Sequence, residues 1–474
     1  MKQFLQSFGN KKRFNEEVIR TLKDKDVIYE YLENICKALE SIPYVTYLSM
    51  EIEEDENKFI QRKLISVKDT RLSLVKFKFR VEFGGEVEEP EIVLFVPKRI
   101  NNNYFLLGGN KYYAPYQIID SSTYNTKNSV ILKSILMATV LRQDKKKCKD
   151  IEGNEYRENI FFLNLFSKKI NLLNYFFPVF GYKQSLEFLG VKDKIEIVQE
   201  SDQEDKYVYF NLKTRYLAVE KEAFENDKHV RRIAITLLDC LVERGKTFDE
   251  EILEDLTHWK IKLGSLYTKN QNNQEEKADS VLLSFKRILD DTTKKSLKIP
   301  EEDKESMFHL TRWMVVNYDA LKKKNNLSLL NKRFRYYEYI ITPFLRKMSS
   351  NTYRILNSKN LTMNKLLTLF KVSSMIIIKS MQTSDLIRYN NAVNDMDLFN
   401  VSLKWSMRGM QALSSSNTVS MYYRDLNPSY VGRLGLNHSS NSDPGMSGTF
   451  SPFISTDGFY FNHNNELDPE TLDD

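Results

Sequence analysis

The spacing of apolar residues changes period several times along this chain, and each change marks an expected element. Between residues 16 and 42, Ile28, Leu32, Ile35 and Leu39 recur at 4-3-4 intervals, which predicts an amphipathic helix. In LVKFKFRVEF, Val75, Phe77, Phe79, Val81 and Phe83 alternate with Lys76, Lys78, Arg80 and Glu82, the period of a strand with one buried and one wet face. EIVLFV (91–96) follows as a more fully buried strand ended by Pro97. In NNNYFLLGGNKYYAPYQIID (101–120) a Gly108-Gly109-Asn110 turn joins two short aromatic-rich strands, a hairpin.

Residues 150–320 read as mainly helical, with SDQEDK and NQNNQEEKADS as charged connectors. The second is polar enough to be a mobile loop. Two lysine runs, DKKKCKD (144–150) and LKKKNN (321–326), bound this block and read as solvated loops. From 327, LSLLNKRFRYYEYIITPFLRKM interleaves Lys332, Arg333 and Arg335 with Phe334, Tyr336, Tyr337 and Tyr339. Two readings stand for it: contact with phosphates and bases, or an amphipathic helix with a wet basic face, kinked at Pro343. Residues 361–383 predict a strongly apolar helix. Beyond about 384 the text turns to Gly, Ser, Asn and Pro, yet Tyr422, Tyr423, Tyr430, Phe450 and Phe453 argue against disorder because they need something to pack on.

Composition narrows the class. At 474 residues the chain has room for two to four domains, and 41% hydrophobic with 28% charged residues is a globular composition. The net charge of +6 arises from 70 bases against 64 acids, which permits a basic groove without demanding nucleic acid. Cys36, Cys148 and Cys240 are scattered and suit a reducing compartment. No signal-peptide core is visible, and the apolar runs are too short to cross a bilayer, so a soluble intracellular protein is expected.

Catalytic chemistry is not visible in the sequence. His229, His258, His309, His438 and His463 have no metal spacing, and HExxH, GxSxG and Walker patterns are missing. Asp395 and Asp397 stand two apart in NDMDLFN, a spacing magnesium ligands use, but a turn or helix-cap role fits them better. The residues alone describe a binding or scaffolding component.

Four segments together resemble a family. RDLNPSYVGRLG (424–435) resembles the RDxHPSHYGRxC segment of the beta subunit of multisubunit DNA-dependent RNA polymerases, with Arg424, Asp425, Pro428, Ser429, Gly432 and Arg433 on matching letters. MRGMQAL resembles RRxSAL through Arg408, Ala412 and Leu413. LLNKRFR resembles LGNRRxR through Asn331, Lys332, Arg333 and Arg335, and the 103–120 hairpin resembles FIINGxERVxxSQL at Phe105, Gly109 and Gln117. The segments occur in the family's order, and residues 150–320 match by position alone.

The resemblance implies an α+β, multidomain architecture. A protrusion-like domain would use residues 1–145 plus 325–383, a lobe-like domain 146–324, and a fork region 384–474. Because the family subunit continues far beyond this length, the implied protein is the N-terminal half of a split beta subunit like those of giant bacteriophages. The fork would then be supported largely by other chains. It would serve a DNA-directed RNA polymerase in the cytoplasm of an infected bacterium, with packaging in the virion left open.

In such an enzyme the two magnesium ions are held by the beta-prime subunit, so the resemblance implies no catalytic and no metal-binding residue here, and no cofactor of this chain's own. It implies nucleic-acid contacts from Arg424 first, then Arg408, Arg433, Lys332, Arg333 and Arg335, holding template DNA and the RNA–DNA hybrid by their phosphates. For Arg433 a buried ion pair with Asp425 is an equal alternative. Implied partners are the C-terminal half of beta, beta-prime chains, DNA, nascent RNA and a promoter-specificity factor, with no membrane. The competing reading is a viral nucleic-acid-binding or structural protein that uses the fold without polymerase activity. Gly409 departs from the family's second arginine, and LNHSSNSDPGMSG lacks the glutamates of its counterpart.

Overall fold

The computed structural model describes residues 26–54, 70–100, 104–133, 138–165, 168–201, 206–212, 215–242, 250–283, 299–300, 306–335, 337–356, 358 and 361–389. It also describes parts of 391–461, including 403–409, 421–435, 444–451, 456–457 and 460–461. The architecture is mixed α+β, as expected, with the strands in five sheets among the described residues.

Helix α1 (Asp26–Lys37) buries the apolar positions that predicted it, Ile28, Leu32 and Ile35. Residues 16–25 of the expected helix lie outside the described residues. Strands β1 (Val45–Glu53), β2 (Leu72–Phe83) and β3 (Glu91–Pro97) form an antiparallel sheet with β2 between the other two. Phe77, Phe79 and Val81 of β2 are fully buried and Arg80 is exposed, the two-faced pattern the alternation demands. Strands β4 (Tyr104–Leu107) and β5 (Asn110–Tyr113) make the expected hairpin. Its two-residue turn needs positive φ at both positions, and Gly108 (58°) and Gly109 (78°) supply it. Strand β6 (Tyr116–Asp120) then enters a different sheet. The far wall of this first core, including Phe344, Met348, Leu369 and Ile377, comes from residues 339–387.

Residues 130–318 hold a second core, with Phe161, Phe176, Phe177, Phe210 and Trp259 at its centre. Strands β7 (Ser129–Lys133), β8 (Ala138–Lys149) and β9 (Glu155–Leu165) build a five-stranded antiparallel sheet with 123–125 and 168–171. Three further strands (195–198, 207–211, 216–220) form another sheet. The expectation of a mainly helical block is therefore corrected for residues 150–220. The lysine-rich loop is corrected too: it is the end of β8, where exposed Lys145, Lys147 and Lys149 alternate with buried Cys148 and with Lys146, which pairs with Asp239. Identical side chains on both faces hid the strand period.

Helices α2 (Leu173–Phe188), α3 (Lys228–Leu241), α4 (Leu256–Ser265), α5 (Gln274–Leu283), α6 (Met307–Val316) and α7 (Tyr318–Lys323) complete the block. Helix α5 replaces most of the expected mobile loop. It buries Ala278 and Val281 and crosses α4 so closely that a Cβ on Gly264 would collide with the Gln274 carbonyl. The second lysine run is a strap rather than a solvated loop. Asn125 Nδ2 lies 3.0, 3.1 and 2.7 Å from the carbonyls of Leu321, Lys322 and Lys324. Lys324 Nζ donates to Ser121 Oγ at 3.1 Å and Thr123 Oγ1 at 3.2 Å.

The chain re-emerges as strand β10 (Lys332–Arg335), where a helix was expected. Helix α8 (Thr342–Leu356) starts later and carries Pro343 in its first turn, where a missing N–H costs nothing, so it does not kink the helix. The expected helix over 361–383 is divided into Met363–Leu367 and α9 (Ile376–Thr383). Between them the Ser374 carbonyl accepts from the Phe95 N–H at 2.9 Å.

Strands β11 (Lys404–Ser406), β12 (Leu434–Gly435) and β13 (Ser447–Phe450) join β6 and β10 in a seven-stranded sheet ordered β12-β13-β11-β6-β10, then 460–461 and 456–457. A third, small core lies against it, formed by Tyr116, Ile118, Leu329, Trp405, Tyr430, Leu434 and Phe450 among others. Tyr430 and Phe450 thus find the packing their sequence context required. All three cysteines are buried thiols outside any disulfide, and no described helix is long and apolar enough to cross a membrane.

Candidate nucleic-acid interface

The seven-stranded sheet gathers the four segments singled out in the sequence, and Gln117 is where three of them meet. Its side chain is fully buried, on β6 between antiparallel β10 and parallel β11. Its Oε1 accepts from Arg335 Nε at 3.1 Å and also from an Arg335 terminal nitrogen, while its Nε2 donates to the Arg408 carbonyl at 2.8 Å. One amide thereby satisfies a buried cation and a backbone acceptor, groups that are costly to leave unpaired.

The cations of β10 are interior groups. Lys332, Arg333 and Arg335 are 7%, 8% and 7% exposed. Lys332 Nζ pairs with Asp120 Oδ1 at 2.6 Å, and the Arg333 guanidinium lies 5.5 Å from the centre of the Tyr31 ring on α1. Lys133 belongs to the same charge cluster. Burial pushes its ammonium below the usual lysine range; Asp120 opposes the shift, and Arg335 and Lys332 add to it. Burial likewise lowers Lys324.

The 424–435 segment is braced by contacts within its own chain. Asn427 Oδ1 accepts from the Ser429 N–H at 3.0 Å and from its hydroxyl at 2.8 Å. Ser429 Oγ accepts from the Leu329 N–H at 2.9 Å, which fastens the segment to the entry of β10. Tyr430 is buried in the third core, and that burial pushes its hydroxyl up to about 12. The Arg433 guanidinium donates to the Ser429 carbonyl at 3.2 Å, whereas exposed Asp425 accepts from the Leu426 N–H at 2.8 Å. The alternative Arg433–Asp425 ion pair is absent among the described residues.

A single stretch, 445–451, ties down the backbones of Arg424 and Arg433 and of Met407, the neighbour of Arg408. The Gly445 N–H donates to the Arg424 carbonyl at 2.9 Å, and the Ser451 N–H to the Arg433 carbonyl at 2.9 Å. The Met407 N–H, beside Arg408, donates to the Met446 carbonyl at 2.7 Å. Gly445 is required by proximity, since a Cβ there would lie 2.5 Å from the Asp425 carbonyl oxygen. Gly409 is required twice over: its φ is +106°, and a Cβ would lie 2.5 Å from Leu386 Cδ1 and 3.0 Å from Gln117 Nε2. The departure at this position therefore has a steric cause.

Arg424 and Arg433 are half-buried: Arg424 Nε and one Arg433 terminal nitrogen are buried without a hydrogen-bond partner among the described residues, and the rest of each guanidinium is partly accessible. Half-buried guanidinium donors beside a braced backbone can hold an anion in fixed register. Sequence reading overlooked Ser429, Gly445, Lys133 and Lys324 as structural participants; their partners are distant in the chain, and no local pattern marks them. Asp395, His438 and His463 lie outside the described residues. Asp397 donates its N–H to Asn394 at 2.8 Å, a turn, and no cluster of three metal-ligating side chains occurs among the described residues.

Comparison with known families gives the class first: this is a subunit of a viral RNA polymerase. The chain belongs to the family of non-virion RNA polymerase subunits, which matches residues 1–469. No curated protein matches the chain.

Proposed function

We propose that the chain is the N-terminal half of a split beta subunit and that it holds template DNA and the RNA–DNA hybrid beside an active centre built by other chains. The observation that carries this reading is the 445–451 brace, which brings the backbones at Arg424, Met407–Arg408 and Arg433 onto one stretch. The resemblance reaches these positions through two separate segments, RDLNPSYVGRLG and MRGMQAL. In this reading Arg424 and Arg433 contact phosphates with the accessible part of each half-buried guanidinium, and Arg408 extends the same surface. Lys332, Arg333 and Arg335 act from behind, through the sheet that supports it. Phosphate contacts carry no sequence information, which suits a protein that must follow any template.

The chemistry belongs to the assembly: magnesium held by beta-prime chains, the C-terminal half of beta, and a promoter-specificity factor where one is needed. The family's name favours an enzyme active in the infected cell over one carried in the particle. The test is purification of the tagged chain from infected cells. Co-purifying beta and beta-prime fragments with template-directed RNA synthesis are expected. Within that assembly Arg424→Ala should lower elongation complex lifetime about tenfold at moderate salt, with Arg424→Lys partly restoring it. A chain that purifies alone, or an Arg424→Ala assembly as salt-resistant as the parent, would overturn the reading.

A further inference from the structure

A cleft of about 380 Å³ opens between the first core and the inserted block, well away from the 445–451 brace. One wall is aromatic and comes from the N-terminal region, where Tyr44 and Phe83 meet edge to face with centroids 5.1 Å apart. Tyr267, at the end of α4, lines the cleft from the inserted block, and Lys277 and Glu276 of α5 line it as well. Tyr44 holds a left-handed backbone, φ 79°, the only such non-glycine residue among those described. Bulky residues persist in that conformation where their surroundings fix it. Here the Tyr44 hydroxyl donates to Glu276 Oε1 at 3.1 Å across the cleft, and its carbonyl accepts from the Glu82 N–H at 3.0 Å. Burial lowers the Lys277 ammonium from its usual range, so the cleft holds an incompletely solvated cation next to aromatic rings.

Aromatic walls contributed by two bodies, a few polar groups at the rim and a volume in the small-ligand range describe a site for a flat ring with hydrogen-bonding edges. We propose that this cleft takes up one unstacked nucleobase of a single-stranded nucleic acid, stacked against the tyrosine–phenylalanine wall, with Lys277 on an adjoining phosphate. Every base has a π face, so such a site accepts single strands and excludes a duplex, whose bases are already stacked. The proposal rests on the polymerase reading, which supplies a reason for single strands to be present.

The probe is a short mixed-sequence single-stranded DNA carrying a 5-iodo-deoxyuridine, with the matching duplex as control, offered to the full chain and to its purified assembly. Irradiation is expected to cross-link peptides containing Tyr44, Phe83 or Tyr267. The Tyr44→Ala, Tyr267→Ala double variant should bind the single strand about tenfold more weakly, with duplex affinity unchanged. Lys277→Gln, which leaves the aromatic walls intact, should weaken single-strand binding about threefold and steepen no duplex defect. Cross-links confined to other peptides, or Lys277→Gln and tyrosine variants within error of the parent, overturn the proposal. In an assembly that synthesises RNA, that result leaves the polymerase reading standing; failure to enter any assembly counts against that reading, and binding by the isolated chain still decides the base site.

Discussion

At the residue scale, the most constrained positions surround Gln117. Gly409 has no room for a methyl group and a backbone angle that L-residues avoid. Gly409→Ala should therefore cost about 2 kcal/mol, read as a lower denaturant midpoint, and should loosen the Arg408 carbonyl from Gln117. Tyr430 gives a pH signature. Its hydroxyl titrates near 10 when unfolded and about 12 in the fold. A group whose folded pKa is raised contributes fully below the unfolded value and loses its contribution as pH climbs through the folded one. Stability should fall between about pH 10 and pH 12, and Tyr430→Phe should make that fall shallower in urea titrations. Tyr318, also held at about 12, keeps the slope from vanishing.

At the element scale, the strap over 321–326 depends on one amide. Asn125→Ala removes the donor shared by three carbonyls at the end of α7 and should cost about 1–3 kcal/mol. Hydrogen exchange at 321–326 should rise first, while β2 stays protected; equal acceleration everywhere would point to global destabilisation instead. These elements also show what the sequence could and could not express. Strand β2 and the β4–β5 hairpin were legible because apolar alternation and paired glycines are local signals. Strand β8 was hidden because lysines fill both of its faces, and one face is recognisable only through Asp239 on α3. Helix α5 was hidden because polar side chains cover its exposed side and only Ala278, Val281 and Leu282 mark the buried one. Strand β10 read as a helix because its basic residues find partners far away. The Gln117 bonds to Arg335 and to Arg408 span 218 and 291 residues, so the segments were legible as motifs while the bonds joining them were not.

At the scale of the whole molecule, the inserted block is attached through a narrow neck. The chain leaves β6 at Asp120 and returns on β10 at Lys332, and these two residues face each other across antiparallel strands. Among the described residues, the buried members of the second core run from Val130 to Tyr318, and Leu321 packs against them. The block can thus be treated as a long insertion between two strands of a hairpin, and replacing a long loop by a short one changes closure entropy by only about 0.6 kcal/mol per halving of its length. We propose residues 123–326 as the unit to express, so that β7, β8 and the strap are kept with the block. Residues 123–326 expressed alone should unfold in one cooperative transition. The remainder, with Ser122 joined to Leu327 by a short Gly-Ser loop, should also fold, since Leu329 and its bond to Ser429 are retained. Thermal melts of the two pieces and the parent decide the matter. Two separate cooperative transitions confirm independent bodies. Aggregation of the shortened chain beside a well-folded block would mean that the contacts across the cleft, Tyr44 with Glu276 among them, hold the first core together rather than merely adjoin it.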